Sequence, residues 1–380
     1  MNTVLITGGA GFIGSHLVRH LISSNYKLRI LDPLAPQIHG NVPHDLDWLD
    51  GENIEFLRGS VTDRHTVEDA LQGVEHVVHL AAETGTGQSM YELARYNEVN
   101  SQGTAVLLNV LANRRDLGVR RIVLASSRSV YGEGAYVCPA CGDDVGRLFP
   151  GARTAVQLAG HSWDPQCPQC GGALSAVPTR EDDPVRPASI YAATKYAQED
   201  LVRVACEALK IDYAILRLQN VYGEGQSLKN PYTGILSIFS TRIRRGLDLP
   251  IFEDGMESRD FVHVEDVARA IQACLDSVLP INRVVNVGSG VGTSVMDVAR
   301  QLVASLRGGV PLRVTSEYRL GDIRHNVADV TRLCELLPGG ARIELAEGLD
   351  RFASWVMTQP LPEDQLERAN SELRERKLMA

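Results

Sequence analysis

No apolar run in this 380-residue sequence reaches the roughly 18 to 20 residues that a membrane-spanning helix requires, so no span is expected. The opening residues, Met1 to Gly14, read as a strand and a turn and not as a signal peptide, which points to a cytoplasmic protein. Basic clusters are lacking too: 38 Lys and Arg stand against 47 Asp and Glu, a formal charge of −9, and no basic run extends much beyond a pair. Nucleic-acid binding needs such clusters and is not expected, although a phosphate could still be held locally. Cysteine is scarce, with seven residues, four of them in two Cys-x-x-Cys pairs. In a reducing compartment such pairs favour a metal over a disulfide. At 44% apolar residues the chain is not disordered, and its length suits two ordinary domains or one large one.

Short β-branched runs alternate with amphipathic helical stretches through the first half, the pattern of a parallel sheet wrapped by helices. The expected strands are Thr3 to Thr7, Leu28 to Leu31, Ile54 to Leu57, His76 to Leu80 and Arg121 to Ala125. From about residue 133 to 177 the composition shifts to Gly, Pro and Cys with little periodicity, which marks an insertion. The alternation then resumes with a helix near Ile190 to Ala208 and a strand near Tyr213 to Leu218. The expected architecture is a doubly wound α/β sheet of Rossmann type over 1–132 and 178–218, an insertion over 133–177 and a smaller α/β substrate lobe mainly over 219–357. A charged tail over 358–380 is expected to be a solvated helix or frayed.

Directly after the first strand comes Thr7-Gly8-Gly9-Ala10-Gly11-Phe12-Ile13-Gly14, with glycines three apart where strand turns into helix. Glycine lets backbone approach a pyrophosphate without a Cβ in the way, and the helix start supplies free N–H groups and partial positive charge. A tight turn alone would suit any α/β protein. Asp32, however, closes the second strand 18 residues after Gly14, where a carboxylate can bond an adenine ribose. Asp32 would repel a 2′-phosphate and no Arg follows it, so NAD is expected and NADP is not.

Tyr191-Ala192-Ala193-Thr194-Lys195 sets a phenol and an ammonium on one face of a helical pattern. A phenol with its usual pKa near 10 is a poor base at neutral pH, and a nearby cation would lower it. The spacing alone recurs by chance on helices. Upstream, however, Ser126-Ser127-Arg128-Ser129-Val130-Tyr131-Gly132 ends the fifth strand, at the sheet edge where α/β proteins bind ligands. With these residues the chain resembles an extended short-chain dehydrogenase/reductase of the nucleotide-sugar epimerase and dehydratase family, from residue 1 to about 357 apart from the insertion. The resemblance implies that Ser127, Tyr191 and Lys195 are catalytic and that Asp63, with Val61 in the same segment, contacts adenine. It further implies that Ala81 and Ala82 line the cofactor and that Asn100 is the active-site asparagine. It also implies nucleotide-diphosphate sugar contacts at Thr86, Asn220, Arg259, Arg319 and Asp322; a guanidinium fork suits a diphosphate.

The reaction is suggested partly by what is missing. Family dehydratases carry an acidic pair just after the catalytic hydroxyl residue, and uronic acid decarboxylases carry a Glu at the second position; here the positions hold Arg128 and Ser129. That leaves epimerisation at carbon 4 through a transient 4-keto sugar. The segment Ala82 to Tyr91 with the insertion looks most like bacterial dTDP-L-rhamnose 4-epimerases, which make dTDP-6-deoxy-L-talose. The alternatives are a UDP-glucose 4-epimerase and a non-enzymatic dinucleotide-sensing regulator, which commonly lacks the Tyr and Lys. A homodimer is expected, because the helices Tyr96 to Asn113 and Ile190 to Ala208 match the family's interface pair.

Within the insertion, Cys138-Pro139-Ala140-Cys141 and Cys167-Pro168-Gln169-Cys170 are separated by 25 residues, and a glycine follows each pair. Two such knuckles supply four thiolates for tetrahedral zinc in a zinc ribbon, and four thiolates leave no open position for catalysis. Residues 138–170 carry two arginines against three aspartates, so a nucleic-acid role for the ribbon is unsupported. Ser127 and Tyr191 stand 64 positions apart, so the insertion lies in the connection crossing the expected active-site mouth and is expected to form a flap or rim. Cys206, Cys274 and Cys334 lie on helical patterns and read as core thiols, and His161 reads as a surface residue.

Overall fold

A computed structural model describes residues 2–40, 46–228 and 234–379. Five strands, β1 (Asn2–Thr7), β2 (Tyr26–Asp32), β3 (Ile54–Arg58), β4 (His76–His79) and β5 (Arg121–Ser127), join two later ones, Asp212–Leu218 and Arg283–Val287, in a seven-stranded parallel sheet. From one edge its order is Arg283–Val287, Asp212–Leu218, β5, β4, β1, β2, β3. The order in which strands are added reverses between β1 and β4, and the glycine turn sits at that switch point, where such sheets bind ligands.

Helices cover both faces, which is why β5 is buried along its whole length and carries the apolar run Ile122–Ala125 at its centre. On one face Leu17, Val18 and Leu21 pack with Val267 and Ile271; on the other Val67, Leu107, Val110 and Val202 share a core. A second core, including Phe239, Leu249, Phe261, Leu302 and Phe352, lies in the smaller lobe. The stretch expected to form that lobe also supplies the edge strand Arg283–Val287 and the helix Val264–Asp276 to the large sheet layer. The helix Ile190–Leu209 starts where Ser189 Oγ accepts the Ala192 N–H at 3.1 Å, and ends at Lys210 in the left-handed region.

Three expectations need correction. The single helix expected over Tyr96 to Asn113 is a short helix Leu93–Tyr96, a π-helical stretch Asn97–Gln102 and then Gly103–Asn113. The charged tail is neither frayed nor fully solvated: Leu366–Glu375 is a helix that buries Leu366, Ala369, Asn370 and Leu373. Cys206 and Cys274 are buried, but Cys334 is exposed. The insertion, expected to be a flap or rim, is anchored. It forms a small core of Tyr136, Cys138, Cys167 and Leu174, and ion pairs bind it to the substrate lobe. Among the described residues no helix is long and apolar enough to cross a membrane.

Candidate functional site

The glycine turn is built for close approach. Gly8 lies at φ +70°, and a Cβ there would stand 2.8 Å from the backbone nitrogen of Ala81. At Gly14 a Cβ would meet the backbone of Gly9 at 2.5 Å, so the first helix can sit on its own turn only with glycine at this position. That helix, Phe12–Leu21, begins at Gly11 and carries no side-chain cap, which leaves Phe12 and Ile13 in a first turn suited to an anion. Asp32 is buried at the end of β2 and already ties the turn together, accepting the N–H of Ala10 at 3.1 Å and of Leu34 at 2.8 Å. Burial raises its pKa, while these bonds and nearby His39 pull it back.

Asp63 caps the helix Arg64–Ala70 by accepting the Thr66 N–H at 3.0 Å, which lowers its pKa, and Val61 beside it is buried. Ala81 donates its N–H to Thr7 Oγ1 at 3.3 Å, and Ala82 continues that loop. Fully buried Asn100 joins the loop to the Tyr191 helix. Its Oδ1 accepts the Glu83 N–H at 2.7 Å, and its Nδ2 donates to Glu83 O at 3.1 Å and to Thr194 Oγ1 at 3.0 Å. This bridge explains the π-helical stretch, since a side chain committed on both sides fixes where the helix must widen.

Ser127 ends β5, and its Oγ accepts from Ser129 N at 3.2 Å and from Ser129 Oγ at 2.9 Å. Burial pushes the Tyr191 phenol up; a hydrogen bond with Ser127 and the charge of Arg128 pull it down. Lys195 is buried one turn on from Tyr191, and burial depresses its pKa to about 7 against the opposing pull of Glu199. Glu199 in turn accepts a guanidinium fork from Arg217.

Sequence reasoning noticed Arg128 only as the absence of an acid. In the structure its Nε donates to Asn220 Oδ1 at 2.6 Å, and its pKa falls to about 9 through burial and the neighbouring Arg259, offset by Asp322. Its position straight after Ser127 was the available signal. The structure thus brings Ser127, Arg128, Tyr191, Asn220, Arg259 and Asp322 around one cleft. Neither Arg128 nor Arg259 has a carboxylate within salt-bridge distance among the described residues, although Asp322 and Asp260 act on Arg128 from further off. Arg319 is placed differently: its Nη2 donates to Asn370 Oδ1 at 2.9 Å and its guanidinium lies 4.9 Å from the Phe252 ring centroid. Thr86 opens the short helix Thr86–Ser89 and offers its carbonyl to Ser89.

Away from the cleft, the sulfurs of Cys138, Cys141, Cys167 and Cys170 all lie within 4.8 Å of one another. Two of the separations are 3.6 and 4.0 Å, close to the edge of about 3.8 Å that a tetrahedron of Zn–S bonds near 2.3 Å would have. The donor set therefore fits a tetrahedral thiolate metal. His161 is exposed and stacks on Trp163.

A glycine cradle at the switch point of a parallel sheet, opening on a Ser, Tyr and Lys group, defines an enzyme that works with a bound dinucleotide. The chain belongs to the NAD dependent epimerase/dehydratase family, whose model matches residues 4–147 and 168–288 and leaves out part of the insertion. A dTDP-L-rhamnose 4-epimerase of Burkholderia thailandensis is 39% identical over 357 residues, spanning 93% of this chain and 94% of that protein. Among solved structures, a UDP-N-acetylglucosamine 4-epimerase of Methanobrevibacter ruminantium has a TM-score of 0.74 at 26% identity, covering 94% of this chain and 99% of the other. The UDP-glucose 4-epimerase of Thermus thermophilus, solved with NAD, has a TM-score of 0.71 at 26% identity, covering 94% of this chain and 100% of the other.

Proposed function

We propose that this protein is an NAD-dependent isomerase that inverts carbon 4 of a nucleotide-diphosphate sugar, and that the sugar nucleotide is dTDP-L-rhamnose, converted to dTDP-6-deoxy-L-talose. The observation that carries the reaction class is the cleft beside Ser127, where Tyr191 has a hydroxyl partner and a cation and where Arg128 and Ser129 stand in place of dehydratase acids. Bound NAD would supply a hydride acceptor that later returns the same hydride. Gly8, Gly11 and Gly14, with the start of the first helix, hold the pyrophosphate, Asp32 bonds the adenine ribose, and Val61, Asp63, Ala81 and Ala82 flank the remainder. Tyr191 takes the proton from the sugar's 4-hydroxyl, Ser127 holds the hydroxyl oxygen, and Lys195 binds the nicotinamide ribose. Arg259 and Asn220 hold the diphosphate end, with Asp322 and Thr86 at the sugar. With no acid at residues 128 and 129 to eliminate water or protonate a carbanion, the cleft would let the keto sugar turn over, and bound NAD would supply the hydride to its other face.

The choice of dTDP-L-rhamnose rests on the 39% identical relative, which shares 93% of this chain's length. The four cysteines hold a structural zinc, supported by sulfur spacings that suit a tetrahedron. The test is to incubate the purified protein with dTDP-L-rhamnose, UDP-glucose and UDP-N-acetylglucosamine and to read the sugars by NMR. A carbon-4 epimer of the first is expected. A carbon-4 epimer of only one of the others overturns the substrate, and a dehydrated or decarboxylated product overturns the reaction.

A further inference from the structure

A buried ionic cluster that the proposed chemistry leaves unused joins the insertion to the substrate cleft. Arg153 belongs to the insertion, and 1% of its side chain is exposed. All five of its N–H donors are committed. Nε donates to Glu133 Oε1 at 3.2 Å, and the fork grips both oxygens of Glu253 at 2.8 and 2.9 Å. The last two reach the carbonyls of Trp163 at 3.0 Å and Asp322 at 2.9 Å. A planar guanidinium fills five acceptors in this way, whereas an ammonium has three donors and no fork.

The consequence is felt at the cleft. Arg153 holds the carbonyl of Asp322, and Glu133 Oε2 holds the N–H of Arg324 at 2.7 Å, so the three-residue segment 322–324 is gripped at both ends from the insertion side. Its opposite side faces Arg259, whose guanidinium donates to the carbonyls of Ile323 at 2.8 Å and Arg324 at 3.0 Å, and to that of Ser258 at 2.8 Å. Arg259 has no carboxylate partner within salt-bridge distance among the described residues, and these three carbonyls are the acceptors that hold its guanidinium. Arg324 makes a second link by donating Nε to Asp164 of the insertion at 2.8 Å.

We propose that Arg153 is a positioning residue for substrate: from within the insertion it fixes the segment 322–324 and, through that segment, aims Arg259 at the diphosphate of the nucleotide sugar. This rests on the reading of Arg259 as a diphosphate contact. The insertion is then a buttress of the binding site. Four thiolates around a metal keep the insertion folded, and Arg153 carries its rigidity to the cleft.

The experiment uses the full-length holoenzyme with Arg153→Met, Arg153→Lys and Glu253→Gln. It measures bound NAD, zinc content, kcat and KM with dTDP-L-rhamnose, and the calorimetric Kd for dTDP and UDP. In the folded variants KM and the nucleoside diphosphate Kd are expected to rise about tenfold or more, with NAD retained and kcat within about threefold of wild type. Arg153→Lys is expected to fail to rescue, because charge without the fork does not hold the segment. Glu253→Gln, which keeps the side-chain shape, reads the same effect if neither Arg153 variant folds. A fall in kcat at unchanged KM and Kd would mean a merely structural role and would overturn the proposal, as would wild-type kinetics in all three. The proposed function fails separately, in the wild type: if it binds neither dTDP nor UDP, the diphosphate reading of Arg259 is lost, and this inference with it.

Discussion

At Tyr191 burial and charge pull in opposite directions, and on the proposed function their balance sets the pH at which the enzyme works. Burial favours the neutral phenol, whereas the Ser127 hydrogen bond and the Arg128 charge favour the phenolate. A base must be deprotonated to act, so activity is lost as pH falls through the Tyr191 pKa. Removing a cation that lowers this pKa moves the loss to higher pH. Arg128→Met is therefore expected to shift the acidic limb of the kcat/KM profile upward and to cut activity at neutral pH about tenfold or more, with Arg128→Lys recovering part of the limb. An unmoved limb in Arg128→Met would show that Arg128 does not act on Tyr191. Tyr191→Phe is expected to lower kcat about a thousandfold or more, roughly 4 kcal/mol, while absorbance still reports bound NAD. The places of the glycines, Asp32, Ser127, Tyr191 and Lys195 along strand, turn and helix were legible, because the proposed chemistry needs each residue type at a fixed point of those elements. Arg128 and Arg153 were not, since a lone arginine in sequence reads as solvated, and only the tertiary fold shows what surrounds it.

Among the elements, the sheet and its helices were legible because buried parallel strands leave short apolar runs, as at Ile122–Ala125 within Arg121–Ser127. The π-helical turn was not legible, since it follows from bonds that Asn100 makes to residues 17 and 94 positions distant. The last helix carried a readable signal. Leu366, Ala369, Asn370 and Leu373 share one face, but the surrounding charge concealed it, and Asn370 reaches Arg319 across the lobe. Asn370→Ala is expected to free the Arg319 guanidinium and to cost about 1 kcal/mol of stability, measured by chemical unfolding; no loss would mean that the contact carries no stabilising weight. In the insertion, Cys167→Ser is expected to abolish zinc in elemental analysis, because so small a core cannot offset chain entropy without the metal. The seven-stranded sheet has its own core, so NAD binding should survive. Zinc retained at one atom per chain in that variant would contradict the ligand set.

For the whole molecule, the insertion is tied to the second lobe through the Arg153–Glu253 and Asp164–Arg324 ion pairs. Two helices expected to pair between subunits, Gly103–Asn113 and Ile190–Leu209, already pack on each other within the chain, burying Leu107, Val110 and Val202. Val204 remains 55% exposed on the second of them. If a second copy covers that face, light scattering at micromolar concentration gives twice the 41.5 kDa of one chain. A monomeric mass removes the dimer.

The central claim is that one hydride leaves carbon 4 and returns to the same carbon from the opposite face. The direct measurement supplies the holoenzyme with dTDP-L-rhamnose deuterated at carbon 4, in ordinary water without added NAD, and follows the sugar by NMR and the cofactor by absorbance. The account predicts a carbon-4 epimer that keeps its deuterium and no accumulation of free NADH. Loss of the deuterium to water, or NADH released in step with a keto sugar, would contradict it.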